Sequence, residues 1–209
     1  MTTIAHTTMT TTGDDDHVGP WIDELLAVPV PADDLPVVVA AHSAACPRTP
    51  YAVHRLLGAG WNVTGFVCVD GRYPDGVPLT ASEATFGPML DSIVRPDDYL
   101  PPWPRWWGSL VVGLVVDPAA REQVFCEARP IPRAWFDQAC PVPDLPPGVG
   151  RAFLAFGPGY QASCTRAEAA GWRTYLLAGD HLHQVVAPEA VADTLLAIAG
   201  DLAAPATDR

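Results

Sequence analysis

The sequence predicts an α/β protein built on a mainly parallel sheet, and three observations carry that prediction. First, short apolar runs such as LPVVVAAH at 35–42 and VTGFVCVD at 63–70 read as strands buried on both faces, the habit of parallel sheets. Second, these runs alternate along the chain with stretches of helical spacing instead of being grouped together. Third, no apolar run approaches the roughly 20 residues of a membrane span, and the longest, around Leu110–Val116, contains Gly113.

Taken in order, residues 1–17 are threonine-rich and end in an acidic run. They read either as a flexible tail or as an extended segment that pairs with a sheet edge, since Thr, Ile and Met suit a strand. Residues 20–28, PWIDELLAV, place Trp21, Leu25 and Leu26 at helical spacing behind a proline. The apolar run ending at Ala41 is the first core strand, 50–59 a helix opened by Pro50, and the run ending at Asp70 the second strand. Between 73 and 142 prolines and aromatics crowd together, and the segment reads as an inserted helical lid with pieces at 82–94, 105–116, 118–127 and 132–138. GRAFLAFG (150–157) and RTYLLAG (173–179) are the third and fourth strands, with a helix at CTRAEAAGW between them. PEAVADTLLAIAGDL closes the chain as an amphipathic helix. Residues 18–209 are thus expected to form one domain of about four core strands flanked by helices.

Composition narrows the function. The net charge is −12, with twelve arginines and no lysine, which excludes a basic nucleic-acid-binding face. The same bias, with abundant Ala and Pro, matches a GC-rich bacterial genome. Five irregularly spaced cysteines (Cys46, Cys68, Cys126, Cys140, Cys164) lack any Cys-x-x-Cys pair, so no zinc or other metal site and no cofactor is expected. The odd count, with no secretion signal at the amino end, fits reduced thiols in a cytoplasm.

One stretch, AHSAA at 41–45, carries chemistry. Ser43 is either a nucleophile on a strand-to-helix turn or an ordinary helix-capping serine. Small residues at Ala41 and Ala45 suit the first reading, because such a turn brings backbone against backbone.

Three stretches in order, AHSAA, FVCVDGRYPDGVPL (66–79) and LLAGDHLHQVVAPEAVADTLLAIA (176–199), resemble the α/β-hydrolase fold superfamily, in particular its esterase and hydroxynitrile-lyase-like branch. ARPIPRAWFDQACPVP (128–143) resembles the same branch between lid and penultimate strand. The resemblance implies Ser43 as nucleophile and His181 as general base, with His183 the competing histidine and the N–H of Ala44 facing a developing oxyanion.

The chain departs from the family in two places. The acid normally follows the penultimate strand, but FLAFGPGYQAS (153–163) holds no carboxylate. Asp70, at the end of the strand after the nucleophile, is the substitute; the other reading is that it only caps its loop. Second, only 42 residues precede Ser43, far fewer than in the family, so the chain reads as an N-terminally shortened member. The strand PVVVAA then becomes a sheet edge, a hazard that pairing in a homodimer or with the N-terminal segment would remove. The loop that supplies the second oxyanion donor is absent on this reading.

His42, Tyr73, Trp103, Trp106 and Trp107 are the candidates for contact with substrate, although His42 and most lid aromatics also fit a packed core. Arg72 and Arg105 are further candidates, for a carboxylate or enolate. The expected activity is Ser–His chemistry on a bulky hydrophobic small molecule (an ester, lactone or acyl thioester) in bacterial natural-product metabolism. A cyclase, lyase or isomerase using the same groups for acid/base chemistry is the alternative, and a non-catalytic ligand-binding scaffold a third.

Overall fold

A computed structural model describes residues 18–29, 35–82 and 84–203, with side chains from Ile22 onward. The expectations for residues 1–17 lie outside them. The elements in chain order begin with α1 (Val18–Leu26), β1 (Val37–His42), a 3-10 turn at Ser43–Arg48 running into α2 (Thr49–Gly58), and β2 (Val63–Val69). Short elements follow: α3 (Leu79–Ser82), α4 (Phe86–Asp91), β3 (Tyr99–Leu100), α5 (Pro104–Trp107), α6 (Ser109–Leu114), α7 (Pro118–Glu127) and β4 (Ile131–Pro132). After a 3-10 turn at Arg133–Phe136 come β5 (Gly150–Ala155), α8 (Gln161–Ala169), β6 (Arg173–Leu176), α9 (His183–Val186) and α10 (Pro188–Ala203).

The chain divides into two compact units, a helical one of Met1–Pro29 with Gly76–Cys140 and a sheet unit of Val30–Asp75 with Pro141–Arg209. In the sheet unit four parallel strands lie in the order β1-β2-β5-β6. This is the mainly parallel four-stranded sheet that the sequence predicts; β1 and β2 end where their apolar runs end, whereas β5 and β6 stop at Ala155 and Leu176, two and three residues short of the expected ends. Val67 lies opposite Ala40 on one side and Ala152 on the other, and Leu154 opposite Tyr175, so the strand ends stay level.

One core forms where alternate residues of the central strands (Val67, Val69, Ala152, Leu154 and Phe156) meet Val191, Ile198 and Leu202 of α10. Burial of each large side chain there contributes about 1.5–3 kcal/mol. On the opposite face Phe66 meets Trp172 edge to face at 5.1 Å, and α2 buries Ala52, Val53 and Leu56 at helical spacing. The expectation of strands buried on both faces holds for β2, where only Thr64 is part-exposed. It fails for β1, where Val37–Val39 are half-buried and Ala40 is exposed. The reason is position: among the described residues β1 has β2 on one side and no strand on the other.

The helical unit is built more locally. Trp106, Trp135 and Phe86 surround Phe136, with ring centroids 5.5, 4.8 and 5.7 Å from it. Arg133 binds Asp91 at 2.8 Å and Asp137 at 2.7 Å, and Asp117 caps α7 by accepting from the Ala120 N–H at 2.7 Å. The continuous helix expected over 105–116 is broken at Gly108, whose φ of +47° no helix accommodates. The piece expected over 82–94 is shorter, and 132–138 is a 3-10 turn next to a two-residue antiparallel ladder, β3 with β4. Prolines at 88, 101, 102, 104, 130 and 132 explain the fragmentation, because each removes a backbone donor. No helix among the described residues is long and apolar enough to cross a membrane.

Candidate active site

Two turns at the carboxyl ends of adjacent strands build the site. β1 ends at His42, and the next residue, Ser43, takes a φ of +58° before the 3-10 turn begins. β2 ends at Val69, and Asp70 takes a φ of +41°. Non-glycine residues in this left-handed region cost about 1–3 kcal/mol each and persist only where the surroundings over-determine them. A helix cap requires no such conformation. The serine lies on a strained strand-to-helix turn, one of the two placements the sequence left open.

Small residues hold the two turns together. A Cβ on Gly71 would sit 2.3 Å from the Ser43 carbonyl oxygen and 2.4 Å from Cys46 Sγ, so only glycine fits after Asp70. The buried Cys46 thiol lies 3.2 Å from the Ala41 carbonyl oxygen and 3.5 Å from that of Val69, between the two strand ends. Burial first, and Cys68 next, push that thiol well above its ordinary pKa.

His181 reaches the same place from the loop between β6 and α9. Its Nε2 is 2.9 Å from Ser43 Oγ and its Nδ1 is 2.7 Å from Asp70 Oδ2. A carboxylate only accepts, so Nδ1 carries the proton and donates it to Asp70, leaving the Nε2 lone pair for the serine hydroxyl. Asp70 is 3% exposed, and its other oxygen, Oδ1, accepts the Phe156 N–H at 3.0 Å. The residue that follows β5 thus anchors the carboxylate that follows β2. The Gly179 N–H donates to the Phe156 carbonyl at 2.7 Å and fixes the start of the histidine loop.

The structure therefore brings Ser43, His181 and Asp70 into one hydrogen-bonded chain, with Ala44 next to the serine in the 3-10 turn. His183 lies elsewhere. Its ring packs on Phe156 at 5.6 Å and over Gly179, where a Cβ would approach it to 2.4 Å. His42 lies beside His181, with ring centroids 4.6 Å apart. Tyr73 rests against Trp172 at 5.2 Å and under the Arg166 guanidinium at 4.9 Å. Arg72 pairs with Asp75. Trp103, Trp106 and Trp107 belong to the helical unit; Trp106 donates to the Pro101 carbonyl, and Trp107 is 43% exposed. Among the described residues no three His, Cys, Asp or Glu side chains are grouped to hold a metal ion.

The sequence reading missed three contributors: the Phe156 N–H, Gln184, which touches His42, and Tyr160, whose ring lies 5.4 Å from that of His181. Tyr160 stands in the very stretch searched for a carboxylate, and an aromatic there was the available signal.

Comparison with solved structures supports the same fold. Polyneuridine aldehyde esterase aligns with a TM-score of 0.55 and 18% identity over 88% of this chain and 78% of its own. AqDC, described in recognition and ring-cleavage of the Pseudomonas quinolone signal, aligns with a TM-score of 0.51 and 17% identity over 93% of this chain and 76% of its own. The Vlm2 thioesterase domain, bound with a dodecadepsipeptide, aligns with a TM-score of 0.48 and 13% identity over 92% and 78%. No family model matches the chain, and no curated protein does. The chain has the α/β-hydrolase fold.

Proposed function

We propose that this chain is a hydrolase-type enzyme that cleaves a hydrophobic ester, lactone or acyl thioester through Ser43, His181 and Asp70. The observation behind this reading is the unbroken chain from serine to histidine to aspartate, at 2.9 and 2.7 Å, on two strained turns. In the reaction Ser43 Oγ attacks the acyl carbon while its proton passes to His181 Nε2. Asp70 holds the ring in the required tautomer and stabilises the imidazolium. The Ala44 N–H donates to the developing oxyanion, and His181 returns the proton to the departing alcohol or thiol. Water, deprotonated by the same imidazole, then hydrolyses the acyl-enzyme.

A fluorophosphonate probe tests the reading: it labels the wild type at Ser43, and Ser43→Ala removes the label. A second reading, acid/base chemistry without an acyl-enzyme, has the likeness to AqDC behind it, since ring-cleavage is described on that fold. Turnover that survives Ser43→Ala but not His181→Ala favours it. As a partner we assign a second copy of the chain, paired along the outer edge of β1. Sedimentation showing only monomer at micromolar concentration overturns that assignment.

A further inference from the structure

His42 precedes the serine and makes two polar contacts. Its Nε2 lies 2.8 Å from the backbone carbonyl oxygen of His181, and its Nδ1 lies 3.3 Å from Gln184 Nε2. A carbonyl only accepts, so the His42 proton is on Nε2. Nδ1 therefore keeps its lone pair and accepts from the Gln184 amide. The carbonyl belongs to the same residue whose ring tip meets Ser43. Neighbouring residues of one strand end thus grip both ends of His181, Ser43 at the imidazole and His42 at the backbone.

We infer that His42 is a positioning residue, which as a neutral Nε2–H donor sets the distance between the serine hydroxyl and the His181 ring. This rests on the Ser43 reading above. Neutrality matters because the rings of His42 and His181 are 4.6 Å apart, and a charged His42 would oppose the imidazolium formed on His181. Burial first, and His181 second, lower His42 to a pKa of about 4, while the His181 carbonyl and Asp70 pull the other way. The other bonds of the histidine loop, Gly179 N–H to Phe156 and His183 N–H to Asp180, flank His181 without touching its backbone. Only the His42 bond does so among the contacts described.

The test compares wild type with His42→Leu and His42→Gln. Glutamine carries an amide N–H where Nε2 stood; leucine fills space without a donor. The readout is the second-order rate of fluorophosphonate labelling, with melting temperature alongside. In His42→Leu the rate falls at least about tenfold, toward the 10²-fold that a misplacement of about 1 Å costs. His42→Gln recovers most of it at an equal melting temperature. A His42→Leu rate equal to wild type overturns the inference, as does a folded His42→Gln that stays slow. Nitrogen NMR of the histidine-labelled wild type gives the tautomer without any variant: a proton on Nδ1 of His42 overturns the inference, a proton on Nε2 supports it. Failure of the wild type to label sinks the Ser43 reading alone. The inference is then decided by the His181 ring signals, single in wild type and broadened or doubled in His42→Leu; unchanged signals overturn it.

Discussion

Along β2 every residue except Thr64 is buried, whereas along α7 none is. The two segments differ in what holds them. β2 is pinned by hydrogen bonds to β1 and β5 and covered by α2 and α10, so its end is fixed from several directions. α7 is held by its Asp117 cap, its own backbone bonds and the Arg121 guanidinium, which donates to the Val115 carbonyl at 3.0 Å. Both units leave apolar side chains exposed, Val116 at 78% in the helical unit and Leu176 at 72% in the sheet unit; they differ in their cores, which in the sheet unit run along strands and α10 and in the helical unit gather around Trp135 and Phe136. A three-residue relay with tolerances of tenths of an ångström needs the first kind of support. Local opening belongs to the second kind, where few apolar contacts must be broken.

Replacing Asp70 by Asn gives the largest effect that separates the units. The asparagine amide cannot hold the Nδ1–H tautomer, so kcat on p-nitrophenyl acetate falls on the order of 10⁴-fold with the helical unit unaffected. A fall below about tenfold would break the claim that the sheet unit carries the chemistry. Next is packing. Leu202→Ala costs about 2–5 kcal/mol in urea unfolding, because α10 loses its grip on β2 and β5. Val116→Ala, at a position 78% exposed in the helical unit, changes stability by no more than about 0.5 kcal/mol.

Acid should also separate the units. His42 titrates at about 4 in the folded chain and at 6.5 unfolded, so as pH falls below 6.5 the unfolded state takes up a proton that the folded state refuses. The sheet unit loses stability from pH 6.5 down to about 4, and His42→Leu removes that slope. In the helical unit burial raises Asp137, but bonds from Thr80 and Arg133 outweigh it and leave its pKa below 3.8. Its contribution is complete above 3.8 and lost only as pH falls through the lower folded value. Peptide-resolved hydrogen exchange, corrected for intrinsic rates, reads both; an acceleration between pH 6.5 and about pH 5 that is larger in the helical unit than in the sheet unit contradicts the prediction. A local effect comes from Asp117→Ala, which costs about 1 kcal/mol through the lost α7 cap and shows as faster exchange confined to that helix.

Much of the site was legible before folding. The four strands were, because each is a short apolar run between polar or small residues; the ends of β1 and β2 were too, while β5 and β6 stop before the glycines that close their runs. Ser43 was only in part: Ala41 and Ala45 leave room for a sharp turn, but a helix-capping serine stayed open beside it. The helical unit was legible only in outline, since its short helices are set by prolines and by Gly108 rather than by a long apolar period. Asp70 stayed open between acid and loop cap. Nothing in one dimension tells whether a carboxylate at a strand end turns toward a histidine 111 residues later.

The sequence by itself determined the class of fold, the presence of the four strands and the chemical types available near their ends, because these depend on local pattern and on which side chains avoid water. Tertiary structure alone decided that Asp70 takes the histidine, that Phe156 supplies the bond holding it, and that His42 and Ser43 share His181 between them. Those are distances between groups remote along the chain, and they exist only once the parallel strands lie level and the loop before α9 is drawn down onto them.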